Sequence, residues 1–195
     1  MPAPPPGNRP GERSSPFGQT RRLEGNVAYL RQNGGNPNLV ALVSSYSFGD
    51  EAVHLNSLYW RVPDRTDHFY TDPRVEGRRF GPTKPIYVLT SARTFSGAEE
   101  FAYNLQTRKR ATVVGETTGG GAHPGGGVAL PHGLRVFVPS GRAINPITKT
   151  NWEGTGVKPD LAVAADAALA AAHKLALERI VKRRDSVARR QLTLH

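Results

Sequence analysis

The chain has 195 residues, 37% of them hydrophobic, with 21 glycines and a formal net charge of +10. That length holds one domain with a core of its own, and the sequence contains no run of about 18 apolar residues of the kind that crosses a membrane. There is no cysteine, which excludes disulfides, thiolate metal sites and a cysteine nucleophile.

The positive charge alone points toward nucleic acid or an anionic surface. Much of it is concentrated in "KRRDSVARR" near the C-terminus and in arginines near the N-terminus. Such tails are ordinarily solvated, so nucleic acid is not the expected partner. Residues 1–23 read as a Pro-rich disordered leader, without the apolar core that a secretory signal needs. Residues 24–183 read as the folded domain and residues 184–195 as a basic tail.

"GNVAYL", Gly25–Leu30, is a short apolar run of strand type. "RQNGGNPN" follows as a turn. "NLVALVSSYSF", Asn38–Phe48, places Leu39, Leu42, Val43 and Tyr46 at helical spacing. "EAVHLNSLYWRVPDRTDHFYTDP" contains two alternating segments about Pro63-Asp64 and reads as a hairpin whose aromatics pack on a sheet. "PIYVLTS", Pro85–Ser91, is a near-continuous apolar strand of the type buried on both faces. In "SGAEEFAYNLQTRKR", Ala98, Phe101, Ala102 and Leu105 line one helix face. "ATVVGET" is the next strand, which completes a βαβ unit with a parallel sheet. A Gly-rich loop and two further strands, "GVALP" and "LRVFVPSG", come next. "DAALAAAHKLALERIVKRR" closes the domain as a helix capped by Asp166, its apolar face including Leu169, Ala172, Ala176 and Ile180.

Ser96 supports two readings. Ser96-x-x-Glu99 is a capping box, which any helix starting there would use. The same serine follows a buried parallel strand, at the strand end where reaction sites of such sheets gather. The free N–H groups of the helix N-terminus favour a developing oxyanion, and Gly97 lets backbone approach closely. A serine nucleophile also needs a base.

"TFSGAEEF", "RATVVGETTGGGAHPGG" and "NWEGTGVKPD", in this order, resemble the tail-specific, or C-terminal-processing, serine peptidases. The resemblance covers roughly residues 24–180. It is nearest to the branch of the interphotoreceptor retinoid-binding protein modules and the tricorn protease core. It implies an α/β fold of the crotonase/ClpP-like type, a spiral of ββα units with a curved sheet and outer helices. It implies Ser96 as nucleophile, an oxyanion hole from Gly97 with Gly34 or Gly35 of "RQNGG", and Glu153 as an orienting carboxylate. The partner implied is a peptide or protein substrate; no cofactor is implied.

The base is where the chain departs from the family. The tail-specific lysine slot falls on Gly121, and "TTGGGAHPGG" has no lysine. The tricorn-like branch takes a histidine from a segment upstream of the nucleophile, which this chain does not display. His123 is the nearby candidate, able to act near neutral pH; the plainer reading makes it a loop residue lining the site. "GNVAYL" and "RQNGG" are also fused where relatives carry another core strand, so truncation on the N-terminal side and an exposed edge or apolar surface are expected.

Other motifs carry less. "GGGAHPGGG" lacks the Gly-Lys-Ser/Thr ending of a phosphate loop. Six histidines include no H-E-x-x-H, so no metal site is expected. Glu99 and Glu100 are adjacent on a helix and do not face each other as an acid–base pair. Asp160 reads as a turn or cap. The expected function is serine peptidase action on unstructured or C-terminal segments. The alternatives are a non-catalytic module of the same fold that binds peptide or an apolar ligand, and an anionic-partner role for the basic tails.

Overall fold

The computed structural model describes residues 20–30 and 35–192. The chain divides into two compact units, Met1–Asn33 and Gly34–His195. In the first, strand β1 (Thr20–Leu23) pairs antiparallel with β2 (Val27–Leu30), Leu23 opposite Val27. Gly25, with φ 73°, turns the chain between them. This corrects the leader boundary at residue 23: its last four residues are a strand, because β2 offers them a partner. The rest of the expected leader, residues 1–19, lies outside the described residues, as do Gly34 and the end of the basic tail.

The second unit opens with helix α1 (Pro37–Ser45). Asn36 caps it, its Oδ1 accepting from Leu39 N–H at 3.0 Å, and Pro37 takes the first-turn position where no N–H is needed. The expected hairpin forms as β3 (His54–Trp60) and β4 (Arg65–Tyr70). The expected parallel unit forms as β5 (Tyr87–Thr90), α2 (Gly97–Thr107) and β6 (Thr112–Gly115), Leu89 beside Val114. Next come an antiparallel pair, β7 (Gly125–Ala129) and β8 (Arg135–Pro139), then β9 (Gly141–Ile144). A two-residue strand, β10 (Leu161–Ala162), leads to helix α3 (Ala168–Leu192). The three sheets of this unit are β10-β6-β5, β4-β3-β9 and β7-β8, and none closes.

The architecture is therefore mixed α/β, with three α-helices among the described residues. One core cluster joins Leu58, Ala102, Val113, Ala143, Trp152 and Val157, and ties α2 to both three-stranded sheets. A second joins Val114 to Ala168 and Ala172 of α3. Two expectations change. β5 is half-buried over Tyr87–Leu89, because it is the edge strand of its sheet. α3 begins at Ala168, two residues beyond Asp166.

The β7–β8 pair is exposed throughout. Its register puts Val128 opposite Val136, with Leu130, Leu134 and Val138 on the same face.

Loops are held by arginines. Arg110 donates to Ser47 O at 2.5 Å, Lys84 O at 2.9 Å and Gly81 O at 2.6 Å. A lysine cannot span three carbonyls in that fork. Arg110→Ala is expected to lower stability by about 2 kcal/mol, read from the urea midpoint of the full chain. A midpoint equal to that of the parent would remove the guanidinium from this role.

Candidate active site

Residues 91–96 carry the chain from β5 to α2 over a tight turn in which Thr94 N–H donates to Ser91 O at 2.9 Å. Ser96 is exposed and has φ 54° and ψ −124°. For a non-glycine residue this is a sparsely populated conformation costing about 1–3 kcal/mol. The capping box forms around it, Glu99 Oε2 accepting from Ser96 N–H at 2.8 Å. Gly97 is the first residue of α2, so its N–H has no partner within the helix.

Gly35 lies against this turn. A Cβ at position 97 would collide with the Gly35 carbonyl oxygen, so residue 97 must be free of side-chain bulk here. Of the two upstream glycines expected near the serine, Gly35 is thus brought beside it.

Glu99 organises the surroundings. Its carboxylate is fully buried. Oε2 accepts from Ser96 N–H and from Gly121 N–H at 2.9 Å; Oε1 accepts from Thr118 Oγ1 at 2.5 Å and Gly120 N–H at 2.6 Å. Thr118 Oγ1 in turn accepts from Val157 N–H at 2.7 Å. One side chain therefore joins the serine turn, the Gly-rich loop and the "GTGVKPD" segment. Sequence reading missed it; the only signal was the capping-box glutamate.

Gly121, where the resemblance would put the family lysine, consequently sits next to Ser96. A side chain there would run into the ring of Phe95, which is 57% exposed and lies over the loop. Phe95 occupies the volume a lysine stem would need.

His123 and Glu153 lie near each other, though not as a tight pair. Glu153 Oε2 accepts from Ala122 N–H at 2.6 Å and His123 N–H at 3.0 Å, while the imidazole Nδ1 is 3.8 Å away. The carboxylate is satisfied chiefly by backbone, so it fixes the loop more than it orients the ring. Among the described residues, no hydrogen bond joins the Ser96 hydroxyl to His123 or another base. Asp160 serves structure: it accepts from Val113 N–H at 2.7 Å.

At the same end of the parallel sheet lies an open groove of about 520 Å³, lined by Glu116, Lys158, Pro159 and Val163 among others. Backbone N–H groups of Ala92 and Ala165 hold the Glu116 carboxyl below its usual range. Among the described residues no cluster of His, Asp or Glu is placed to hold a metal, and no helix is long and apolar enough to cross a membrane.

Solved structures share this fold. The photosystem II D1 C-terminal processing protease is 24% identical, with a TM-score of 0.52 over 69% of this chain and 33% of that one. A lipoprotein from Streptococcus agalactiae is 16% identical, with a TM-score of 0.54 over 75% and 52%. Mature CPAF complexed with lactacystin is 17% identical, with a TM-score of 0.53 over 80% and 42%. The chain spans about a third to a half of the length of these structures. The family described as peptidase family S41 matches residues 19–163, and these residues contain the Ser96 turn, Glu99 and the loop they hold. The chain belongs to peptidase family S41, the family of tail-specific peptidases that its motifs resemble.

Proposed function

We propose that this protein is a serine-type peptidase of the crotonase/ClpP-like spiral type, acting on unstructured or C-terminal segments of peptides and proteins. The observation that carries this reading is the backbone of Ser96, held at φ 54° and ψ −124° between a parallel strand and a helix N-terminus. A cap needs no such conformation; Ser, Thr, Asp and Asn caps adopt ordinary extended geometry. A nucleophile at a sharp strand-to-helix turn does need it, because the turn lifts the hydroxyl clear of the backbone.

In this reading Ser96 Oγ attacks the peptide carbonyl and its proton passes to the base. The N–H groups of Gly97 and Gly35 take the oxyanion, with Gly34 the neighbouring alternative. Collapse of the tetrahedral adduct expels the amine, which leaves with a proton, and water then cleaves the acyl-enzyme. His123 is the base within this chain, with Glu153 fixing the loop that carries it. A histidine from outside residues 1–195 is the alternative.

A second reading is favoured by a specific pair of observations: Phe95 lies against Gly121, and among the described residues no base is hydrogen-bonded to Ser96. That reading is a non-catalytic peptide-binding module. A serine-directed phosphonate separates the two. The peptidase reading expects an adduct on Ser96, found by mass mapping, and hydrolysis of an unstructured peptide. Both are expected to vanish in Ser96→Ala. A parent chain that takes no phosphonate, or a variant that keeps hydrolysing, would sink the nucleophile.

A further inference from the structure

Phe95 stands immediately before the candidate nucleophile, belongs to neither core cluster and is 57% exposed. A scattered exposed aromatic needs no explanation. This one is fixed against the loop that faces the serine. A Cβ on Gly119 would come within 2.8 Å of its Cδ2, and a Cβ on Gly121 would overlap its Cζ. Both positions turn toward the ring, and with glycine at each the ring rests on bare backbone. Ring and loop are pinned to the same turn. Gly119 N–H donates to Thr94 O at 3.0 Å, and Ala98 N–H donates to Phe95 O at 3.2 Å. Gly120 and Gly121 N–H donate to the Glu99 carboxylate, which also accepts from Ser96 N–H.

The ring therefore packs one face on the loop, and its exposed area belongs to the other face. Apolar surface fixed in water is unfavourable until something apolar covers it. The neighbouring groups say what that is. Gly97 N–H, two residues on, has no partner within its helix and takes the carbonyl oxygen of a peptide in the peptidase reading. A peptide whose carbonyl sits at Ser96 brings the side chain of a flanking residue up to the residue before the serine, which is Phe95.

We propose that Phe95 determines specificity: its open face is the floor of a subsite for an apolar side chain, such as leucine, methionine or phenylalanine, at one of the two positions flanking the peptide bond held at Ser96. The identity of that bond rests on the serine-peptidase reading; the apolar floor serves a peptide-binding module equally. Phe95 takes no part in bond making or proton transfer. It selects which peptide is held.

Binding tests the floor without chemistry. Peptides acetyl-Ala-Xaa-Yaa-Ala-amide, with serine at both variable positions or leucine at one of them, are titrated into the full Ser96→Ala chain and followed by NMR of the Phe95 ring. Leucine at one of the two positions is expected to bind about five-fold more tightly than serine and to shift the ring resonances, as half-covering an aliphatic side chain predicts. Adding Phe95→Ala is expected to bring that preference below about two-fold, and adding Phe95→Leu, which keeps an apolar side chain, to retain most of it. Phe95 is outside the core, so both variants are expected to fold, and their urea midpoints check this. Phosphonate labelling of the parent chain reports on the peptidase reading separately. No adduct, together with a leucine preference that depends on Phe95, would sink the peptidase and keep the subsite. An adduct on Ser96, together with a leucine preference undiminished by Phe95→Ala, would keep the peptidase and overturn the subsite. Equal binding of leucine and serine peptides, or binding of neither, would overturn it as well.

Discussion

Glu99→Gln is expected to cost the domain about 4 kcal/mol and to abolish reaction at Ser96 with a phosphonate. The carboxylate is an acceptor for four donors, two on each oxygen, and no cation is among them. An amide of the same shape keeps one acceptor and turns the other into a donor. Two hydrogen bonds are lost, and an NH2 group is pressed against two other donors. Each buried group left unmatched costs about 1–3 kcal/mol, more where charge was involved. The damage is local to the site, because the four donors belong to the serine turn and to residues 118–121. Urea unfolding of parent and variant measures the first effect; the rate of phosphonate labelling, compared under conditions where the variant is folded, measures the second. A loss below about 1 kcal/mol with unchanged labelling would show that the loop and the serine turn hold their places without this carboxylate.

That residue also marks the boundary of what the amino-acid sequence reveals. The β5–α2–β6 unit was legible because a continuous apolar strand, a helical stripe and a second strand follow one another without interruption. Ser96 was legible because its place at the strand–helix junction follows from those elements. Glu99 was not, since its partners are mostly backbone N–H groups about twenty residues onward, and backbone donors leave no side-chain signature. Dismissing Glu99 and Glu100 as a facing pair was sound, yet each acts alone. Strands β9 and β10 escaped notice because four and two residues are too few for a period to register. The strand at Thr20–Leu23 was hidden by the composition of the leader before it. The Phe95 ring over Gly121 could not be read at all, because it depends on which way a loop side chain turns.

The neighbouring glutamate leads to the opposite result. Glu100→Gln is expected to stabilise the protein by about 3 kcal/mol at pH 8 and to change it little at pH 5. Glu100 points into the interior, near Asn56 and Asn104, and its Oε1 is buried without a hydrogen-bond partner. Desolvation pushes its carboxyl from 4.5 up to about 7, and the two amides only partly oppose that. Between those values the folded chain holds a proton that the unfolded chain releases. The stabilising contribution is fully present below about 4.5, is lost as pH rises toward 7, and stays lost above it. Glutamine imitates the protonated carboxyl at every pH, so it removes the slope while keeping the shape. Urea unfolding of both proteins at pH 5, 6, 7 and 8 gives the difference directly: it should grow by a little more than 1 kcal/mol per pH unit and then level off. A difference that stays constant over the range would mean that Glu100 is ionised in the folded protein and hydrated where it stands. A difference that grows would make this buried carboxyl, one residue beyond the hub that holds the serine turn, the point at which neutral pH loosens the helix under the site.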